Sequence, residues 1–355
     1  MQRQPPPLNR PLMLLAILSL LAGMWLGLMR LPWSLPALGP LGALAHGPLM
    51  VAGFLGTLIG IERAIALRRA WMYLGPLSTA LGAILLAAGQ TQGGAVLTTL
   101  GSATLVAIFA VALRMHWALH TVTMAVGAVA WLVGNLLWLT GGTISSAALW
   151  WAGFLVLTIG GERLELNRVL RLSPLVRGLF IASISLLLGG IAAASFYPAA
   201  GAPVAGAGLI ALGLWLLRTD VARHTILQSG LTRFIAVCLL AGYAWLLIGG
   251  ALLIAFGPQT AGLRYDAMLH AVFVGFVLSM IFGHAPLILP AVVGGEQVYH
   301  PRFYAHLALL HISLIVRVAG DLLAVIALRR WGGLINVIAV LIFMASTASA
   351  VLRRQ

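Results

Sequence analysis

The sequence predicts an all-α, polytopic membrane protein with about twelve transmembrane helices in three four-helix units. Three observations lead to this fold class: an apolar composition, a series of long apolar segments, and an uneven distribution of arginine. Of 355 residues, 61% are hydrophobic and 8% are charged, and the mean hydropathy is +1.05. A soluble core of this length does not require so much apolar surface, whereas a chain that crosses a bilayer repeatedly does.

The long apolar segments predict the helices. A helix of about 20 apolar residues spans the hydrocarbon core and satisfies its own backbone hydrogen bonds there. Twelve such segments follow one another, at 11–29, 42–66, 71–89, 94–113, 117–140, 145–165, 175–196, 202–218, 232–256, 265–293, 303–327 and 333–352. The first follows MQRQPPPLNRPL without a small-residue cleavage site, which indicates an anchor rather than a removable signal peptide.

The arginines predict the orientation of these spans, and the chain contains no lysine. With the N-terminus in the cytoplasm, four arginines fall in outer segments (Arg30, Arg264, Arg329 and Arg330), and Arg317 falls inside span eleven. The other sixteen fall in cytoplasmic segments: Arg3, Arg10, Arg63, Arg68, Arg69, Arg114, Arg163, Arg168, Arg171, Arg177, Arg218, Arg223, Arg233, Arg302, Arg353 and Arg354. This positive-inside bias favours an even number of spans, with both termini cytoplasmic.

Charge and cysteine content exclude several classes of function. The net charge is +14, but no soluble basic domain is present to bind nucleic acid, and such a balance is typical of loops that face an anionic bilayer. The single cysteine, Cys238, excludes an intrachain disulfide and cysteine-based iron–sulfur or zinc sites.

An internal repeat predicts the domain organisation. Residues 53–63 read GFLGTLIGIER and residues 153–163 read GFLVLTIGGER, so seven of eleven letters match. Span ten contains a weaker copy, GFVLSMIFGHA at 275–285. Because these copies lie in spans two, six and ten with the same orientation, they suggest a single membrane domain of residues 1–355 with repeat units 1–113, 114–218 and 219–355. Inverted repeats would not produce this spacing.

His46 is the first candidate cofactor ligand, near the predicted outer end of span two. In an α-helix, residues seven apart lie almost on one face, so His46, Gly53 and Gly60 would form a stripe. A flat macrocycle could lie against the backbone at those glycines. The alternative is an interfacial histidine above glycines that pack helices together.

His270 lies near the outer end of span ten, which runs in the same direction as span two. Two imidazoles at matched depth are what axial haem ligation requires, so His46 and His270 are the predicted haem ligands. His284 lies about 21 Å deeper, at 1.5 Å per residue, and cannot share a metal with His270.

His284 instead falls at the inner level with Glu62 and Glu162, because all three have the same offset from the repeat glycines. In one interpretation, Glu62–Arg63 and Glu162–Arg163 neutralise each other and fix helix ends. In the other, the two carboxylates and the imidazole bind a metal or pass protons. We favour the structural interpretation, since neighbouring arginines oppose cation binding.

Span eleven contains Arg317 and Asp321 one helical turn apart, which predicts an intramembrane ion pair. Alternatively, Arg317 with the outer pair Arg329–Arg330 could neutralise haem propionates.

His116 and His120 form a possible metal chelate at the start of span five, although an interfacial role is the simpler interpretation.

Taken together, the twelve spans, HGPLMVAGF in span two and HAVFVGFVLSM in span ten resemble haem–copper oxidase subunit I. They resemble more closely the NnrS family of haem- and copper-containing membrane proteins linked to nitric-oxide stress. FGHAPLILPAV is similar to an oxidase segment around a copper-binding histidine. The resemblance implies a low-spin haem on His46 and His270, and His284 as a candidate second-site metal ligand.

Departures from the oxidase pattern limit what the resemblance implies. Glu162 stands at the repeat position where a histidine would be needed, span seven has no histidine, and span ten lacks a His-x-His pair. A binuclear oxygen-reducing centre needs those ligands, so an oxidase is not implied.

We therefore expect a haem-binding protein of the bacterial inner membrane that acts in electron transfer or nitric-oxide response. The expected cofactor is a non-covalent haem b, since no CxxCH motif is present, with copper as a further candidate. The expected partners are the lipid bilayer and either nitric oxide or an electron donor. Two alternatives remain: an ion- or proton-coupled transporter that uses the inner Glu/His cluster, and a structural or assembly protein.

Overall fold

The computed structural model describes residues 8–36, 42–167, 172–293 and 299–352. Within these ranges, twelve helices are long and apolar enough to cross a bilayer, which confirms the predicted all-α, multi-pass membrane fold. The arginines Arg3, Arg168, Arg171, Arg353 and Arg354 lie outside the described residues.

Each of the twelve spans corresponds to one of the predicted apolar segments. They are α1 Asn9–Met29, α2 Ala43–Leu67, α3 Ala70–Ala87, α4 Thr91–Met115, α5 Leu119–Leu139, α6 Ile144–Leu166, α7 Pro174–Phe196, α8 Pro198–Thr219, α9 Gly230–Phe256, α10 Gly262–Ile288, α11 Phe303–Leu322 and α12 Ile326–Ser349. The helices of α10 and α12 continue to Val293 and Leu352. A four-residue helix, Ala222–Thr225, lies in the connection between α8 and α9.

The helices form two compact units, of which the first contains α1 to α5 and α6 as far as Phe154. In this unit α3, α4 and α5 pack in sequence, and α1 packs against α2. Its core includes the stacked rings of Trp131 and Phe154, whose centroids are 4.7 Å apart. Some of its buried polar groups are bonded to one another: for example, Tyr73 donates to Asn9 Oδ1 at 2.7 Å. Such pairing is needed because an unbonded polar group in an apolar interior is costly.

The second unit runs from Leu155 through α10 to Pro290 and includes α11 and α12. Here α7, α8 and α9 pack in sequence, α9 packs against α10, and α11 and α12 form a helical hairpin. Small residues allow the helix backbones to approach closely. At Gly190 in α7, for example, an added Cβ would collide with the backbone of Ala205 in α8.

Two helix starts differ from the prediction because local turn chemistry was misjudged. We expected α8 to begin at 202, yet it begins at Pro198, since proline at the first helical position loses no hydrogen bond. We expected α12 to begin at 333, yet it begins at Ile326, because Ala324 adopts a left-handed conformation with φ 55° and closes a short turn. Arg329 and Arg330 therefore lie on α12 rather than in a loop.

Candidate functional site

His46 is held against α1 by a hydrogen bond to the backbone. Its Nδ1 lies 2.7 Å from the carbonyl oxygen of Gly23. Since a carbonyl oxygen only accepts, Nδ1 carries a proton and donates it to Gly23. Gly27 provides the space for the ring, because a Cβ at Gly27 would lie 2.9 Å from His46 Cε1. The result is a half-buried imidazole with a fixed ring orientation.

Spans α2 and α10 share an unusual backbone. Each contains an eight-residue π-helix, Leu49–Gly56 in α2 and Ala271–Leu278 in α10. Relative to the repeat glycines Gly53 and Gly275, each π-helix begins four residues before and ends three residues after the glycine. In α6, the third member of the repeat, the same region is an ordinary α-helix, Ile144–Leu166. Two members of the repeat thus contain a π-helix, and the third does not. π-helical segments are rare and are often found at functional sites.

The predicted stripe of His46, Gly53 and Gly60 is wrong. The π-helix between His46 and Gly60 forms i→i+5 hydrogen bonds, so a seven-residue spacing no longer returns to the same face. Gly53 packs against neighbouring helices, since a Cβ there would lie 2.9 Å from the Cβ atoms of both Ser19 and Ala83. The surface assigned to a macrocycle at Gly53 is therefore occupied by protein, in agreement with the helix-packing alternative.

His270 belongs to a charged group that we call the Asp266 network, formed by Asp266, His270, Arg317, Asp321 and Arg329. His270 Nδ1 lies 2.9 Å from the backbone oxygen of Asp266 and 3.4 Å from its Oδ1. Because a carbonyl oxygen only accepts, this geometry places a proton on Nδ1, as in His46.

Two arginines balance the two carboxylates of the Asp266 network. Arg317 donates to both oxygens of Asp266, with Nε–Oδ2 2.9 Å and Nη2–Oδ1 3.0 Å. Arg329 Nε lies 2.9 Å from Asp321 Oδ1, and its Nη2 lies 3.7 Å from Asp266 Oδ1. The bidentate geometry of Arg317 is the strong form of this interaction.

The predicted Arg317–Asp321 pair is therefore wrong, because each residue has its closest ionic partner elsewhere. The arrangement also argues against the expected role of Arg317 and Arg329 with haem propionates, since a protein carboxylate already pairs with each guanidinium. Arg330 lies 6.0 Å from the centroid of the neighbouring Trp331 ring.

At the predicted inner ends of α2 and α6, one expected ion pair is present and the other is not. Arg63 donates to Glu62 at 3.0 Å, as expected. Arg163 instead donates to Asp220 through Nε at 2.7 Å and Nη2 at 2.9 Å, so the Glu162–Arg163 pair is wrong. Asp220 also accepts from Tyr243 at 2.8 Å and from the Ala222 amide at 2.7 Å. This fully bonded group has the character of a structural connection between helices.

His284 and the other histidines occupy separate environments. His284 Nδ1 bonds to the carbonyl of Met280 at 2.6 Å. Among the described residues, no group of three or more His, Cys, Asp or Glu side chains is arranged to hold a metal ion. His116 lies outside the helix that begins at Leu119, and its ring centroid is 6.2 Å from that of His120.

His306 and His311 in α11 face different neighbours. His306 is 1% exposed and is surrounded by the rings of Phe234, Phe282, Phe303 and Phe343. Neither of its ring nitrogens bonds to any part of the chain that the structure describes. His311 Nδ1, in contrast, accepts from Trp245 Nε1 at 3.0 Å.

Sequence reasoning missed Asp266, Asp220 and the π-helices. Asp266 precedes His270 by one helical turn, so a search for i,i+4 partners would have found the His–Asp relationship. Asp220 directly follows an apolar span and carries no local signal of its partner, which lies 57 residues earlier.

Comparisons with known proteins give a family but no function. No curated protein and no solved structure matches the chain. One family model, described as a domain of unknown function (DUF8744), matches residues 9–352 and so includes all twelve spans. The chain therefore belongs to the DUF8744 family.

Proposed function

We propose that this protein binds a b-type haem through His46 and His270 and acts in electron transfer or nitric-oxide response, in the manner suggested by its resemblance to the NnrS family. One observation carries the proposal: each of the two histidines lies shortly before a π-helix, and each has its Nδ1 bonded to a backbone carbonyl. His46 is three residues before Leu49, and His270 is directly before Ala271.

The donor chemistry of both histidines fits an iron ligand. Metal-bound histidines commonly donate one ring N–H to a carbonyl or carboxylate, which fixes the ring and makes the other nitrogen more basic. Gly23 provides such an acceptor for His46, and Asp266 provides it for His270. A haem bound to these imidazoles would supply a one-electron iron centre.

Two other residues predicted to bind the cofactor, Gly53 and Arg317, contact protein groups instead. Gly53 contacts Ser19 and Ala83, and Arg317 pairs with Asp266, so the proposal rests on the two histidines. His284 and copper remain a prediction that metal analysis of the same sample would test. A location in the bacterial inner membrane, with both termini cytoplasmic, is proposed from the distribution of arginine.

An absorption spectrum of detergent-purified protein tests the haem proposal. We expect sharp reduced α and β bands and about one haem per chain by pyridine hemochrome, as for a bis-histidine b-type centre. His46→Ala and His270→Ala should each abolish this spectrum. The control is His224→Ala, because His224 is exposed in the connection after α8. A colourless protein after expression with supplied haem, or unchanged spectra in both variants, would remove the assignment.

Ion- or proton-coupled transport is the second candidate, and the Asp266 network favours it. Ionisable side chains within spans are costly and commonly mark ion or proton pathways. The network places two carboxylates and an imidazole on α10 and α11, with guanidinium groups from α11 and α12. The inner cluster of Glu62, Glu162 and His284, which the sequence suggests, is the other location proposed for this transport.

Flux into proteoliposomes separates the two locations proposed for transport. A pH-sensitive dye would report proton uptake by the wild type, and Asp321→Asn should abolish it if the Asp266 network is the pathway. A Glu62→Gln/Glu162→Gln double variant should abolish it if the inner cluster is used. Unchanged flux in both variants would exclude both pathways.

A further inference from the structure

The second unit contains a surface cavity that neither of the functions proposed above requires. Its volume is about 380 Å³, and it lies where α9 and α11 begin. Ser229, Gly230, Arg233 and Val237 line it from the α9 side, and Tyr299 and Tyr304 line it from the α11 side. Cavities of this size are within the range of small-molecule sites.

Arg233 gives the cavity a positive charge. Its side chain is exposed, and it makes no hydrogen bond or ion pair with the described part of the chain. The hydroxyl groups of Tyr299 and Tyr304 likewise make no hydrogen bond within the described ranges. One guanidinium and two phenolic O–H groups are therefore available as donors, a combination that suits an oxyanion.

The two tyrosine rings are held in place by a buried aromatic residue. Phe234, which is fully buried, lies 6.2 Å from the Tyr299 ring and 5.3 Å from the Tyr304 ring, centroid to centroid. Tyr299 also contacts Phe303 at 6.2 Å. Because these contacts restrict the rings before any ligand binds, ligand binding loses less side-chain entropy.

The cavity also changes from polar to apolar along α9. Val237 follows Arg233 by one helical turn and lies about 6 Å further along the helix, at 1.5 Å per residue. A ligand with a phosphate group at Arg233 could thus continue into apolar surroundings beside Val237. This end of α9 is the one that the arginine distribution predicts to be cytoplasmic, where basic pockets between spans bind anionic lipid headgroups.

We propose that this cavity binds a phosphate group, with Arg233, Tyr299 and Tyr304 as donors to its oxygens. The phosphate could belong to the headgroup of an anionic phospholipid or to a free phosphate, which present the same oxygens to these donors. The site does not depend on haem binding or on the Asp266 network.

Native mass spectrometry of the full chain from nanodiscs tests the site. The probes are phosphatidylglycerol, phosphatidylcholine and inorganic phosphate. We expect retention of phosphatidylglycerol over phosphatidylcholine. Arg233→Gln should weaken phosphatidylglycerol binding by about tenfold, because it removes the positive charge and a charge-assisted hydrogen bond to the phosphate. Tyr304→Phe should weaken it by a smaller factor, because it removes a single neutral donor.

Arg177→Gln is the matched control, since Arg177 is exposed, lies at the same predicted side of the membrane and does not line the cavity. Wild-type affinity in this control, with loss in Arg233→Gln and Tyr304→Phe, supports the site. Binding of inorganic phosphate that is lost in the same two variants, without a preference between the lipids, supports it with free phosphate as the ligand. Equal loss in Arg177→Gln and Arg233→Gln, or no binding of either anionic probe, would overturn it.

Discussion

Arg317 forms its bidentate ion pair with Asp266 on the neighbouring helix α10, rather than with Asp321 one turn away on its own helix. The two side chains are only 9% and 14% exposed, so the pair lies largely away from water. Asp321 in turn pairs with Arg329 on α12, and the two pairs join α10, α11 and α12. A local sequence rule therefore identified Arg317 and Asp321 as ionic residues but assigned the wrong partner to each.

Removing Arg317 should strongly destabilise the protein. Arg317→Gln leaves the Asp266 carboxylate without its main partner, and breaking such a buried pair typically costs about 3–5 kcal/mol. Arg264→Gln is the control, because Arg264 is exposed on the same helix as Asp266 and contacts the Phe256 ring, an interaction of about 0.5–1 kcal/mol. Unfolding titrations in detergent would measure both free energies.

A double-mutant cycle would identify the partner of Arg317 directly. We expect a larger coupling energy between Arg317→Gln and Asp266→Asn than between Arg317→Gln and Asp321→Asn, within the range of about 0.5–3 kcal/mol found for contacting residues. Greater coupling to Asp321 would contradict the arrangement described above.

Asp220 should matter more for stability than Glu162, although the sequence suggested Glu162 as the partner of Arg163. Asp220→Asn weakens two hydrogen bonds from Arg163 and leaves a buried guanidinium without a charged partner, so we expect a loss of about 3–5 kcal/mol. Glu162→Gln leaves those bonds intact and should cost less. Apparent melting temperatures of the two variants provide the measurement, and equal losses would count against the assigned pair.

Two adjacent glycines in α7 should respond in opposite ways to alanine. A Cβ at Gly190 would collide with the backbone of Ala205, so Gly190→Ala should force α7 and α8 apart and cost at least about 1–3 kcal/mol. A Cβ at Gly189 meets nothing within 4 Å, so Gly189→Ala should be neutral or stabilising by about 0.5–1 kcal/mol through helix propensity. Thermal unfolding in detergent would compare them. Similar behaviour of both variants would argue against the close contact of α7 with α8.

His306 and His311 should also differ when each is replaced by leucine. His306→Leu removes two buried nitrogens that bond to no described residue, so the protein should remain as stable or become more stable. His311→Leu leaves Trp245 Nε1 without its acceptor, which should cost about 1–3 kcal/mol. Measuring the free energy of unfolding of both variants tests this difference. A large loss in His306→Leu would contradict this expectation and would indicate that its contacts with the surrounding rings outweigh the cost of its unbonded nitrogens.

The sequence by itself determined the class of fold and nearly all of its helices. Apolar segments of about 20 residues must be helical in a bilayer, because no water is available there to satisfy the backbone. The same reasoning placed His46 and His270 near the predicted outer ends of related spans, and their role as haem ligands stays a prediction. It also identified the adjacent pair Glu62–Arg63, whose contact depends on little more than local geometry.

Only the tertiary structure decided which distant side chains meet. Arg163 and Asp220 are 57 residues apart, and Asp266 and Arg317 are 51 residues apart, so these contacts depend on which helices are neighbours and how each is rotated. The π-helices changed that rotation within α2 and α10, which is why the stripe expected at His46, Gly53 and Gly60 does not form. The length of each apolar segment can be read directly from the sequence, whereas the rotation of each helix about its axis results from packing between helices.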